Sequence, residues 1–265
     1  MTARIDAAAD ALPGRPATHK PAAASTDMRP AVVEPPGRVP IMAIAAHPDD
    51  IESWCAGTLA RSTDAGATVR LLLVTSGDKG STNPAADPRR VGARRETEAR
   101  EAARRLGLDE VAFLRYPDGE VEDTRALRGE LVSWIRRWRP AVLFTHDPEY
   151  PDPPYLSHRD HRVVGRVALD AVYPCARDPL SFPEQVRGGL APHAVAELWL
   201  FASAAANTFV DISAGFERKI NARLAHESQT PDPAALVKSW RTRAAMIGAP
   251  VNLPCAEAFT LLHLD

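Results

Sequence analysis

The chain has 265 residues, 45% hydrophobic and 25% charged, with a formal net charge of -2 from 32 basic and 34 acidic side chains. That length can bury a large core and fits one α/β domain, and the near-even charge balance gives no electrostatic case for nucleic acid or a membrane surface as partner. No apolar stretch approaches a membrane span, and three widely spaced cysteines, Cys55, Cys175 and Cys255, form neither a disulfide framework nor a Cys-x-x-Cys metal knuckle, which points to a reducing, cytoplasmic setting.

Residues 1–38 are rich in Ala and Pro and poor in large apolar side chains. Such a stretch cannot offset its ordering entropy by burial, so it is expected to be a disordered leader, and it lacks the unbroken apolar core of a secretory signal. One domain is expected over 39–265. It opens with an apolar run, Val39 to Ala45, that reads as a buried parallel strand. Ala46-His-Pro-Asp-Asp50 follows, then a helix from Ile51 to Arg61 with Pro48 suited to its first turn. Ala67 to Ser76 predicts a second strand. The loop Thr75-Ser-Gly-Asp-Lys-Gly-Ser81 after it lacks the P-loop pattern, although its glycines suit a phosphate cradle. Arg89 to Leu106 predicts a helix stopped by Gly107.

Val111 to Arg115 is a short third strand, followed by the turn signal Pro117-Asp-Gly119. Thr124 to Trp138 is a helix with Leu127, Leu131, Ile135 and Trp138 on one stripe, ended by Pro140. Ala141 to Thr145 is a fourth strand, and a Pro-rich stretch then leads to Ser157-His-Arg-Asp-His161, which opens a helix from Arg159 to Val172. Ala196 to Ala202 and Thr208 to Ile212 read as later strands, with a helix from about Ala214 to His226. The alternation implies an α/β fold: a doubly wound, mostly parallel, Rossmann-like sheet with helices on both faces.

Two clusters then fall at strand-to-helix junctions, where open α/β sheets bind ligands. His47 and Asp50 are three apart and can share one side of a helical turn, while Asp49 points elsewhere. His158 and His161 are also three apart. A carboxylate with two imidazoles suits Zn²⁺ or a similar borderline metal. An Asp-Asp pair alone usually caps a helix and a lone His-x-x-His is usually a surface pair; their joint placement argues for a site. His146, at the end of the fourth strand, is a spare donor better read as a hydrogen-bonded neighbour. Cys55 reads as a small buried packing residue.

With these clusters the sequence resembles the LmbE/PIG-L family of N-acetylglucosaminylphosphatidylinositol de-N-acetylase-like metallohydrolases. The resemblance also rests on Leu71-Leu-Leu-Val-Thr-Ser-Gly-Asp78, on Arg95-x-x-Glu98 running into Leu106-Gly107, on Tyr116-Pro-Asp-Gly119, and on Lys219 followed by His226-Glu-Ser-Gln229. It holds from about residue 40 to the end. It implies metal-dependent removal of an N-acetyl group from a small N-acetylglucosamine-type sugar conjugate, with Zn²⁺ bound, or Fe²⁺ in its place. It further implies His47, Asp50 and His161 as metal ligands, Asp49 as general base and His158 as donor to the oxyanion. Asp160 is then expected to orient His158 or a ligating histidine, and Arg95 (or its neighbour Arg94) and Asp118 to meet sugar hydroxyls, a plain turn being the other reading of Asp118. Some relatives carry a Tyr two residues before the first His of the second cluster; Leu156 stands there, with Tyr155 one further back. His226 to Gln229 reads as a cap on the site or as packing for a C-terminal helix, without chemistry. Other functions weighed are an amidase of a thiol-sugar conjugate and a non-catalytic sugar-binding module. The aglycone and the oligomeric state have no signal.

Overall fold

Strand β2 (Pro40–Ala45) shows why the sheet is buried on both sides. Its residues alternate between two hydrophobic layers: Ile41, Ala43 and Ala45 enter one, Met42 and Ile44 the other. The computed structural model to which it belongs describes residues 30–149, 151–152 and 155–264. Residues 1–29 of the expected leader, and the side chains of Leu156 and Tyr155, lie outside the described set.

After β2 come α1 (Asp50–Trp54), α2 (Ala56–Asp64), β3 (Thr68–Thr75), α3 (Pro88–Leu106), β4 (Glu110–Tyr116), α4 (Arg125–Trp138) and β5 (Val142–His146). A two-stranded ribbon, β6 (Pro151–Asp152) with β7 (Tyr155–Leu156), precedes α5 (Arg159–Asp170) and α6 (Pro183–Arg187). The chain ends with β8 (Glu197–Phe201), β9 (Thr208–Asp211), α7 (Phe216–Arg223), α8 (Pro233–Gly248) and β10 (Ala256–His263), while β1 (Ala31–Val32) precedes them all. The sheet order is β1-β9-β10-β8-β5-β2-β3-β4. All pairs are parallel except those of β10, which runs antiparallel to both β8 and β9. One layer packs β2, β3 and β5 against α1, α2, α3 and α7; the other sets the opposite faces of the strands against α4 and α5. Leu72 is fully buried within this second layer, and truncating such a leucine to alanine costs about 2–5 kcal/mol.

Local signals set the helix ends. Asp87 accepts from the Arg89 amide ahead of Pro88, and Gly107 closes α3 at φ 78°. Thr124 accepts from the Leu127 amide to start α4. Several boundaries differ from the sequence expectation. Pro48 lies in the turn before α1, and the helix begins at Asp50. The single helix expected over 51–61 is two, parted at Cys55, because the Glu257 carboxylate caps a new N-terminus, accepting from the amides of Gly57 and Thr58 at 3.0 and 2.8 Å. Residues 30–38, expected within the leader, are placed: β1 pairs with β9, and the Val33 amide donates to Phe209 O at 2.9 Å. Helix α8 and strand β10 had no counterpart in the sequence reading.

A candidate metal and acid-base site

The strand order turns back on itself at β2. From β2 the chain steps through β3 to β4 on one side, then returns to β5 and β8 on the other. Loops leaving β2 and its neighbours therefore diverge, and a crevice opens over their carboxyl ends. His47 to Asp50 leave β2, Ser76 to Gly80 leave β3, Asp118 follows β4, and His146 to His161 leave β5. The Ala46 carbonyl is pinned by Thr75, whose amide and hydroxyl both donate to it at 2.9 Å. Helix α5 rides close against the end of β5, since a Cβ on Gly165 would meet the His146 carbonyl oxygen at 2.5 Å.

Three donors converge in this crevice. Asp50 Oδ1 lies 3.0 Å from His161 Nε2, and Asp50 Oδ2 lies 3.5 Å from His47 Nδ1. His47 Nδ1 and His161 Nε2 are 3.2 Å apart. A tetrahedral ion with ligand bonds near 2.0–2.1 Å holds its donors roughly 3.3 Å apart; the three pair distances are of this size, Asp50 meeting His161 and His47 through different oxygens, and the groups whose single donor atoms lie together are Asp50, His146 and His161, His47, His158 and His161, and His47, Asp118 and Asp160. Asp50 is fixed by accepting from its neighbour's amide, His47 N, at 2.7 Å. Burial opposes its charge, but the imidazoles of His161 and His146 outweigh that and hold its carboxyl well below the usual range.

The far nitrogen of His47 meets two more carboxylates. Asp118 Oδ1 is 3.0 Å and Asp160 Oδ2 3.4 Å from Nε2. Neither lies on the line of a ring N–H, so these are ion-pair contacts more than aligned hydrogen bonds. Asp160 is itself held by the Gly119 and Val121 amides, at 2.6 and 3.3 Å. Burial alone would lower the His47 imidazole; Asp118, Asp160 and Asp50 together push it up to about 12. Three carboxylates around one imidazole are a site short of positive charge, which suits a divalent cation. A carboxylate behind a ligating histidine also fixes its ring and raises its basicity.

His146 and His158 flank this core. His146 is stacked on His161 with ring centroids 4.2 Å apart, and its Nε2 is 3.2 Å from Asp50 Oδ2 and from the Ala46 amide. Burial, reinforced by His161, pushes it down to about 4. It can be an alternative donor beside Asp50 and His161. His158 packs edge-on to His47 at 4.7 Å, and its Nδ1 accepts from the Asp160 amide at 3.2 Å. Burial and then the neighbouring His47 and His161 lower its pKa. His158 is thus a neutral ring carrying its proton on Nε2.

Asp49 faces the other way. It occupies the left-handed region, at φ 91°, and its side chain caps no amide of α1; such strain in a non-glycine residue gathers at functional sites. Its Oδ1 lies 3.3 Å from Arg95 and its Oδ2 3.5 Å from Arg223. Burial raises its pKa, and Arg95 only partly pulls it back. Arg95 is itself buried, donating to Gly77 O at 3.0 Å and Pro48 O at 2.6 Å. A Cβ on Gly77 or Gly80 would collide with this guanidinium, so the glycines after β3 cradle a side chain of the protein. Arg95 therefore lies behind Asp49, with all its named contacts to protein groups. The sequence reading missed Arg223; it picked Asp118, for sugar hydroxyls, without its contact with His47. A buried arginine reads as a surface one in a single sequence; the only pointer to Arg223 was its place between Lys219 and His226.

Beside Asp50 and His161 lies a cavity of about 610 Å³, walled also by Trp54, Ser203, Lys219 and Trp240. Among the described residues, no helix is long and apolar enough to cross a membrane.

The family described as PIG-L, GlcNAc-PI de-N-acetylase, matches residues 42–172. Diacetylchitobiose deacetylase of Thermococcus kodakarensis is 34% identical over 192 residues, covering 72% of this chain and 70% of that one. A 1D-myo-inositol 2-acetamido-2-deoxy-alpha-D-glucopyranoside deacetylase of Streptomyces griseus is 34% identical over 204 residues, covering 67% of this chain but only 59% of its own length. Among solved structures, N,N'-diacetylchitobiose deacetylase from Pyrococcus horikoshii, in complex with an inhibitor, superposes with a TM-score of 0.78 at 30% identity, covering 84% of each chain. Sequence and fold thus agree along most of the domain, and the chain belongs to the PIG-L family of LmbE-like deacetylases.

Proposed function

We propose that the protein is a zinc-dependent N-deacetylase of a small N-acetylated amino-sugar conjugate. The observation that carries this reading is the convergence of His47, Asp50 and His161 donors, 3.0 to 3.5 Å apart, with Asp49 as the adjoining carboxylate. The relatives are named for deacetylation of N-acetylglucosamine-type sugars, and the adjoining cavity is of a size for such a ligand. A divalent cation bound by His47, Asp50 and His161 supplies Lewis acidity to the acyl oxygen and makes water acidic near neutral pH. Imidazole and carboxylate donors accept Zn²⁺ and also Fe²⁺. The three cysteines, all free, fit a reducing compartment such as the cytoplasm.

The residues then divide the work. Asp49, its pKa raised by burial, takes a proton from the attacking water as the water oxygen adds to the acetyl carbon. The Nε2–H of His158 faces the oxygen on which negative charge builds. The carbon–nitrogen bond breaks, and the amine leaves with the proton that Asp49 took from the water, since a neutral His158 keeps its ring proton. Products are acetate and a free amino sugar. Asp160 and Asp118 keep the His47 ring in place, and Arg95, buried against Asp49 and the carbonyls of Gly77 and Pro48, acts on the base and leaves sugar hydroxyls to other groups. The test is acetate release from N,N'-diacetylchitobiose and from N-acetylglucosaminyl-inositol, with chelator and after returning Zn²⁺ or Fe²⁺. Release that stops with chelator and recovers with metal is expected. Full-rate release without metal, or sugar binding with no release under any metal, would sink the reading.

A further inference from the structure

Two motifs that share no obvious purpose in the sequence meet behind Asp49. Arg95-x-x-Glu98 lies on α3; His226-Glu-Ser-Gln229 follows α7, its Ser228 being 130 residues along the chain from Glu98. Glu98 accepts from the Ser228 amide at 2.9 Å and from its hydroxyl at 2.6 Å. Gln229 Nε2 donates to Gly80 O at 2.9 Å, latching the same segment to the loop that wraps Arg95. The segment in turn grips Arg223. One Nη of Arg223 donates to the Thr230 hydroxyl at 2.6 Å and to His226 O at 3.5 Å, and the other donates to Gln229 O at 3.0 Å. Thr230 is locked by its own bond to His226 O at 2.8 Å. Only after these bonds does the guanidinium reach Asp49 Oδ2, opposite Arg95 on Oδ1. Both arginines are at most 7% exposed, and Trp240 of α8 lies over Arg223 with 5.8 Å from the guanidinium carbon to the ring.

We infer that Arg223, aimed by the segment from His226 to Thr230, is a positioning residue that with Arg95 clamps the Asp49 carboxylate from two sides. The clamp answers a local difficulty. Asp49 sits at a strained backbone angle without a cap bond of its own, so its rotamer is set by what its oxygens meet. Two guanidiniums whose Nη groups also donate to carbonyls and a hydroxyl are held against swinging away, which turns a flexible pair of ion contacts into a fixed frame. The motif that the sequence left as a cap therefore serves the reaction through Arg223. The inference rests on Asp49 being the base, and its test includes a measurement that does not.

The experiment compares wild-type holoenzyme with Arg223→Ala, Arg223→Lys and Thr230→Val, each with metal content and thermal midpoint measured. Arg223→Ala is expected to lower kcat about 100-fold, the scale of a misplaced catalytic group, with KM and bound metal held. Added guanidinium ion should restore about tenfold of that loss, Arg223→Lys should be intermediate, and Thr230→Val, which removes the two bonds of the hydroxyl and little volume, should lower kcat about threefold to tenfold. Crystal structures of the same proteins should show the Asp49 carboxylate displaced or split between rotamers in Arg223→Ala and in place in the wild type. An Asp49 carboxylate that stays put in Arg223→Ala overturns the inference whatever the rate. So does a loss of activity that merely tracks lost metal or lost folded protein. If wild type releases no acetate from any amino sugar, the deacetylase reading falls, and the crystallographic arm still decides the clamp.

Discussion

The crevice has an imidazole side and a guanidinium side, and the adjacent carboxylates of Asp49 and Asp50 divide between them. Asp50 faces His47, His146 and His161, and His161 and His146 hold its carboxyl well below the usual range against the effect of burial. Asp49 faces Arg95 and Arg223, yet burial keeps its pKa raised. In the proposed reaction Asp50 stays charged beside a cation and Asp49 accepts and returns a proton. The difference comes from backbone direction more than from chemistry: Asp50 opens α1, while the left-handed turn at Asp49 throws its side chain to the opposite wall. Charge type on each wall then does the rest.

The sharpest way to break this contrast is to change one wall at a time. His161→Ala or Asp50→Ala should lose bound metal and acetate release together; metal analysis of the purified variants checks it, and a variant with full metal occupancy would remove these residues from the ligand set. Asp49→Asn should keep the metal while kcat falls roughly 10²–10⁴-fold, the usual worth of a positioned acid or base. Normal turnover by Asp49→Asn would end its role as base. Asp118→Asn and Asp160→Asn act behind His47 and should weaken metal affinity about 10- to 100-fold, read by competition with a chelating dye. For Asp118 the alternative has its own signature: a raised KM at unchanged metal affinity would return it to sugar recognition.

How much of this was open to a sequence reader depends on contact range. The strand-to-helix junctions at His47 and His158 were legible because each cluster is local and its neighbours carry strong strand or helix patterns. The parallel core was legible for the same reason. Helix α8 was not: among its residues only Ala244 and Gly248 are buried, so no apolar stripe marks it. Strand β10 is set by pairing with β8 and β9, far apart in the chain. Its Glu257, which caps α2 and pairs with Lys219 at 2.6 Å, looks like a surface charge until the fold buries it. Arg223 escaped, and the contact of Asp118 with His47 was not foreseen, for a related reason, since a charge's burial and partner are tertiary facts. Arg95 was found, but the direction of its guanidinium, towards Asp49 and the loop glycines, was not.

The smallest expected effect is also the one that separates proton from metal on the imidazole side. In the metal-free chain His47 is raised from 6.5 to about 12, so the folded state holds a proton that the unfolded state releases above 6.5. Stability from this group is full below 6.5 and is lost as pH rises toward 12. His146 works in the opposite sense: lowered to about 4, it stays neutral in the fold while the unfolded chain gains a proton, so stability falls as pH drops from 6.5 to about 4. The thermal midpoint of the metal-free protein should therefore decline on both sides of 6.5. A bound cation replaces the proton on the ligating nitrogen of His47 and binds better as protons leave. The midpoint gained on adding Zn²⁺ should then widen as pH climbs above 6.5, the ordinary value for a histidine. Thermal scans with and without chelator across that range measure both curves. A gain that shrinks with rising pH would mean that the cation does not compete with the His47 proton, and that the imidazole side of the crevice is something other than a metal site.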